Sequence, residues 1–123
     1  MRVLIVEENL LFREAYRREL LRHFPFISIQ EAKDGGEAME KIQRMTPSLI
    51  FMDIGLPGLN GLQLTRRIKE AFPNIRIAML TGYDFPEYRR TASQYGADRY
   101  FLKDSIDWKE VEEFIQNIPE KNR

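Results

Sequence analysis

Three short runs of almost unbroken apolar residues, Val3–Val6 (VLIV), Leu49–Met52 (LIFM) and Ile75–Leu80 (IRIAML), constrain this chain more than any other feature. A strand with one wet face alternates apolar and polar residues, whereas a run without alternation belongs in a parallel sheet covered on both sides. Weaker runs extend the pattern, so strands are expected near residues 2–6, 27–32, 49–53, 75–80 and 99–102. Each is followed by a stretch of helical spacing. Five such units, joined by right-handed crossovers, make an α/β protein with an open, doubly wound, five-stranded parallel sheet and five helices.

The helix starts are marked independently of periodicity. Asp34 with Glu37, Asp84 with Glu87 and Asp107 with Glu110 set an acidic cap three residues before a glutamate, and Asn60 with Gln63 is an amide version. Asn9 caps a first helix near Leu10–His23 that carries Phe12, Tyr16 and Leu20 at steps of four. Apolar residues then recur at helical spacing, as in Ala38, Ile42 and Met45, in Leu64, Ile68 and Phe72, in Tyr88, Ala92 and Tyr95, and in Trp108, Val111 and Ile115.

A chain of 123 residues builds one core, expected here over 1–118, with 119–123 as a frayed tail. Lys plus Arg and Asp plus Glu both total 19, so no general positive field draws nucleic acid, and this domain is not expected to bind it directly. Without cysteine there is no disulfide framework, thiolate nucleophile or cysteine-ligated metal. No apolar run is long enough for a signal peptide or membrane span, and the expected location is the cytoplasm.

In open parallel sheets the ligand site lies beyond the carboxyl ends of the strands. Those ends offer Glu7 and Glu8 after the first strand, Asp53 after the third, Thr81 after the fourth and Lys103 after the fifth, while the second contributes nothing comparable. Crowded carboxylates repel unless a divalent cation sits among them, and oxygen-only ligation suits magnesium. Singly, Thr81 reads as a strand-end hydroxyl and Lys103 as a surface charge. Jointly, they supply what phosphoryl transfer to Asp53 needs: an ionised nucleophile, and positive and hydrogen-bonding groups for the phosphoryl oxygens.

These residues resemble the receiver domain of two-component response regulators over essentially the whole chain. The blocks that carry the resemblance are VLIVEEN with LFREA, LIFMDIGLPGLNGLQL around Asp53, AMLTGYD around Thr81 and YFLKDS around Lys103. LFREA and LKDS are most similar to regulators with a C-terminal helix-turn-helix output domain. The resemblance implies a flavodoxin-like strand order of 2-1-3-4-5, and a linker to an output domain starting at 119–123. It implies that Asp53 accepts a phosphoryl group from a histidine kinase. Glu8, Asp53 and the Gly55 carbonyl would bind magnesium directly and Glu7 through water, while Thr81 and Lys103 would bind phosphoryl oxygens. Tyr100 matches the switch aromatic that turns inward with Thr81, and the surface of the fourth helix, fifth strand and fifth helix would be the readout. The implied protein is a signalling protein that assists its own phosphorylation and dephosphorylation, not a classical enzyme. A second receiver is a further implied partner.

Departures from the family pattern are informative. Glu8 stands where the family usually has Asp, and the added methylene moves the carboxylate by ~1.5 Å. Magnesium demands near-octahedral geometry, so weaker binding and slower phosphorylation are expected. The alternative is a degenerate receiver acting as a phosphorylation-independent interaction module. Gly55 lacks a side chain two residues after Asp53, and Tyr83 lies two after Thr81, which together imply altered hydrolysis of the acyl phosphate. Asp104, not proline, follows Lys103. His23, the only histidine, reads as structural or solvent-facing with no phosphotransfer role, and the five methionines as core filling. A flavodoxin-like electron carrier needs a phosphate cradle where EENLLF stands, and an aspartate-nucleophile phosphatase needs an acid at Gly55.

Overall fold

The structure is a computed structural model and describes residues 1–119. The three apolar runs become the inner strands β1 (Arg2–Val6), β3 (Leu49–Met52) and β4 (Arg76–Thr81), flanked at the edges by β2 (Ser28–Ala32) and β5 (Arg99–Leu102). All pairings are parallel and the order is β2-β1-β3-β4-β5, as expected. The edges explain why the second and fifth runs are weak in sequence, since only one residue of each is buried, Ala32 in β2 and Phe101 in β5.

Helices α1 (Leu10–His23), α2 (Gly35–Arg44), α3 (Gly61–Ala71), α4 (Pro86–Gln94) and α5 (Trp108–Gln116) follow their strands in turn. Strand alternation divides the core in two. Val3, Ile5, Leu49, Phe51, Ala78, Leu80 and Phe101 pack with α1 and α5. Leu4, Val6, Ile50, Met52, Ile77 and Met79 pack with α2, α3 and α4. Each fully buried aliphatic side chain contributes about 1.5–3 kcal/mol, so removal of one whole face would undo the domain. Among the described residues no helix is long and apolar enough to cross a membrane.

Four of the five caps stand where the sequence marks them. Asn9, Asp34 and Asn60 accept from the backbone N–H three residues on, and Asp107 accepts from that of Lys109. Asp84 does not cap α4. Pro86 at the first helical position has no N–H to satisfy and biases the residue before it toward extended backbone, so Phe85 takes the cap position at φ −102° and ψ 135°. Asp84 instead accepts from Arg89 Nε at 2.7 Å. Strand limits also shift slightly: Ile27, Asp53 and Ile75 fall just outside β2, β3 and β4, and Thr81 closes β4 from within. Of the tail expected at 119–123, residues 120–123 lie outside the described residues.

Candidate functional site

Backbone pairing continues past the ends of β1 and β3. The Glu7 N–H donates to Ala32 O at 2.9 Å and the Asp53 N–H to Val6 O at 3.0 Å, which sets two carboxylates side by side at the sheet edge. Both are almost buried, at 3% and 7% exposure. Buried like charges are costly unless an opposite charge sits between them. Lys103, opening the single turn Lys103–Ser105 after β5, supplies it: its ammonium pairs with Glu7 Oε1 and lies 3.4 Å from Asp53 Oδ2. The face of the Phe12 ring, with its centroid 4.5 Å away, covers the same ammonium.

Each carboxylate has one further anchor. Glu7 Oε2 accepts the Asn9 N–H at 2.9 Å, and Asp53 Oδ1 accepts the Ile54 N–H at 2.9 Å. Burial pushes the Glu7 carboxyl above its ordinary value; Lys103 and the Asn9 N–H oppose that rise, and the Asp53 charge adds to it. Arg13 ties the β1 end down from α1, donating to the Glu7 carbonyl at 2.7 Å and to the Glu31 carboxylate at 2.9 Å.

The loop after Asp53 is held by a close approach that only glycine allows. A Cβ on Gly61 would stand 1.9 Å from the Asp53 carbonyl oxygen, while the Gly61 N–H donates to Ile54 O at 2.9 Å. Gly58 turns the loop at φ +74°.

Asp53, Glu7, Lys103, Glu8 and Gly55 line one open cleft of about 530 Å³. Glu8 is exposed at its rim. Asp53, Glu8 and the Gly55 carbonyl offer the oxygen-only donors that a hard cation such as magnesium takes. In this structure Lys103 neutralises Glu7, and among the described residues no group of three or more acidic, histidine or cysteine side chains is gathered at metal-binding distance.

Thr81 is fully buried, and its Oγ1 accepts the Tyr83 N–H over a long 3.4 Å. No hydrogen bond joins it to Asp53 in this structure. Tyr100 donates its hydroxyl to the Tyr83 carbonyl at 2.6 Å, with the Arg89 guanidinium 4.6 Å above its ring. Burial raises the Tyr100 phenol, and Arg89 opposes that rise. The Tyr83 ring, half-exposed, comes within 3.7 Å of where a Cβ on Gly55 would lie, so it covers the flank of Asp53 that glycine leaves bare. His23 lies far along α1, stacked on Trp108 at 4.5 Å, in the structural role expected of it.

The structure therefore joins Glu7, Asp53 and Lys103 in one contact, places Glu8 and Gly55 on the same cleft, and links Thr81 to Tyr100 through the backbone of Tyr83. Sequence reasoning missed Phe12, Arg13 and Glu31. LFREA held the signal for the first two, because a helix capped at Asn9 turns its first-turn side chains back over the end of β1.

A family model described as response regulator receiver domain matches residues 3–116. The oxygen regulatory protein NreC of Staphylococcus haemolyticus is 33% identical over 108 residues, 87% of this chain and 50% of that protein. The transcriptional regulatory protein DegU of Brevibacillus brevis is 30% identical over 104 residues, 85% of this chain and 44% of that protein. This chain thus spans about half the length of these curated relatives. A LuxR-family two-component response regulator from Aurantimonas sp. superposes with a TM-score of 0.84 at 33% identity, covering 95% of this chain and 83% of that one. The response regulator TrrA of Thermotoga maritima, solved in complex with Mg2+ and BeF, gives a TM-score of 0.82 at 30% identity, over 96% and 98% of the two chains.

Proposed function

This chain belongs to the response regulator receiver domain family, and from that membership we propose that it accepts a phosphoryl group from a histidine kinase onto Asp53. The observation that carries the reading is the Asp53 carboxylate, nearly buried at the end of an open cleft with the Lys103 ammonium 3.4 Å from Oδ2. An Asp53 oxygen attacks the phosphorus of the donor's phosphohistidine, the P–O bond forms as the P–N bond breaks, and the histidine nitrogen keeps the electron pair. No general base is needed for an ionised nucleophile. Catalysis reduces to positioning and charge neutralisation, in which Lys103 and Thr81 meet the phosphoryl oxygens.

Glu8, Asp53 and the Gly55 carbonyl would hold magnesium, with Glu7 acting through water; when bound, the ion neutralises charge on the transferring group. The acyl phosphate then biases an existing two-state equilibrium, with Thr81 and Tyr100 repositioned and α4, β5 and α5 as readout. A shift from 1:99 to 99:1 requires a preference of about 5.5 kcal/mol. The partners we propose are a sensor histidine kinase, a second receiver and a helix-turn-helix output domain regulating transcription, in the cytoplasm. Glu8 at the cleft rim, together with Tyr100 already bonded to the Tyr83 carbonyl, favours as second reading a phosphorylation-independent interaction module.

Incubation with a small-molecule phosphodonor and magnesium, read by intact mass, separates the two. The first reading expects one phosphoryl adduct, lost in Asp53→Ala and formed faster in Glu8→Asp. An unlabelled wild type supports the second, and a labelled Asp53→Ala overturns the first.

A further inference from the structure

Lys103 touches more than carboxylates. Its third neighbour, the Phe12 ring at 4.5 Å, heads a run of stacked rings. Phe12 lies 5.9 Å from Tyr16 at 13° between planes, Tyr16 lies 5.4 Å from Trp108 at 24°, and Trp108 lies 4.5 Å from His23 at 10°. The stack crosses between α1 and α5 and ends where His23 Nδ1 meets Glu112 at 3.3 Å. Tyr16 is buried and further pinned edge-on by Phe51 at 5.1 Å and 71°.

We propose that Phe12 is a positioning residue for Lys103, and that the stack Phe12–Tyr16–Trp108–His23 couples the placement of this ammonium to the face formed by α1 and α5. The ammonium is shared between two carboxylates and a ring face. Resting on the reading above, a phosphoryl group on Asp53 draws the ammonium toward its oxygens and off the ring. Phe12 then loses the contact that orients it. Because the rings beyond it are close-packed, the adjustment passes as a discrete repacking instead of dissipating within one side chain. This route runs on the opposite face of the sheet from Tyr100, so one phosphorylation event reaches two surfaces.

Trp108 is the only tryptophan, so its fluorescence reports the middle of the stack without ambiguity. The experiment compares Trp108 emission in the wild type, Lys103→Met, Phe12→Leu and the double variant, each checked for native circular dichroism. The Lys103→Met change is expected to shift emission when Phe12 is present and to leave it unmoved in the Phe12→Leu background. Phe12→Tyr, which keeps a ring face, should retain the shift, and Phe26→Leu, outside the stack, should not alter it. An equal Lys103→Met shift in both backgrounds, or none in either, overturns the proposal. Phosphodonor and magnesium added to the same samples, with labelling followed by mass, should move wild-type emission in step with labelling and leave Phe12→Leu unmoved. A wild type that does not label defeats the phosphoacceptor reading, while the variant comparison still decides the coupling.

Discussion

The two faces of the sheet are built from different materials. The buried core of the α2, α3 and α4 side is Leu, Ile, Val, Met and Ala, which fit by volume and have no preferred direction of contact, and its aromatic residues Phe72, Tyr88, Tyr95 and Tyr100 pack only partly buried against it. The α1 and α5 side holds Tyr16, Phe24, Phe51, Phe101 and Phe114, with Phe12 and Trp108 packed against them. Rings contact one another with defined planes, so an aromatic face transmits orientation where an aliphatic face transmits only space. The charged groups divide in the same way. Glu7 continues the strand parity of Val3 and Ile5, and Lys103 that of Phe101, toward the aromatic face; Thr81 continues that of Ile77 and Met79 toward the aliphatic one.

The largest effect is expected from Gly61→Ala, where the aliphatic side admits no substitute. The added methyl would stand 1.9 Å from the Asp53 carbonyl oxygen, so α3 or the loop must move, at a cost of about 3 kcal/mol, the upper end for overpacking. Urea unfolding measures that cost, and phosphodonor labelling of the same variant should fall because the displaced backbone carries Asp53.

Adjacent residues of β3 compare the two materials directly. Met52→Leu keeps volume on the aliphatic side and should cost less than about 1.5 kcal/mol. Phe51→Leu removes the edge contact with Tyr16 and should cost about 0.5–1.5 kcal/mol beyond its area term. If denaturant midpoints show equal losses, the aromatic face has no special rigidity.

A smaller effect, readable through pH, lies at the charged end of the aromatic face. Because burial raises the Glu7 carboxyl in the folded protein above its ordinary value of 4.5, the folded state holds its proton longer than the unfolded chain. Glu7 therefore adds a destabilising contribution that is absent below 4.5 and grows as pH rises through the folded value. In magnesium-free buffer, wild-type stability should fall relative to Glu7→Gln between pH 4 and 7. A constant difference would mean that Lys103 and the Asn9 N–H compensate the burial fully.

Where a feature depends on periodicity or on strand order, the sequence was enough to read it. The doubly buried runs VLIV, LIFM and IRIAML located the inner strands, and the strand ends then yielded Glu7, Asp53, Thr81 and Lys103 without any side-chain geometry. Asp84 misled because a capping pattern competed with the backbone preference of Pro86, and proline prevailed. The choice Lys103 makes among Glu7, Asp53 and Phe12 was not legible, since a long flexible side chain settles among groups brought together only by the tertiary fold. Arg13 and Glu31 are eighteen residues apart and meet because β2 pairs beside β1.

The most direct test locates the acyl phosphate itself. The protein is exposed to phosphodonor and magnesium, reduced with borohydride, which converts an aspartyl phosphate to homoserine, and mapped by peptide mass spectrometry. Homoserine is expected at position 53 alone, dependent on the donor and diminished in Lys103→Met. Homoserine at another aspartate, or none in a protein whose fold is intact, would contradict phosphoryl transfer to Asp53.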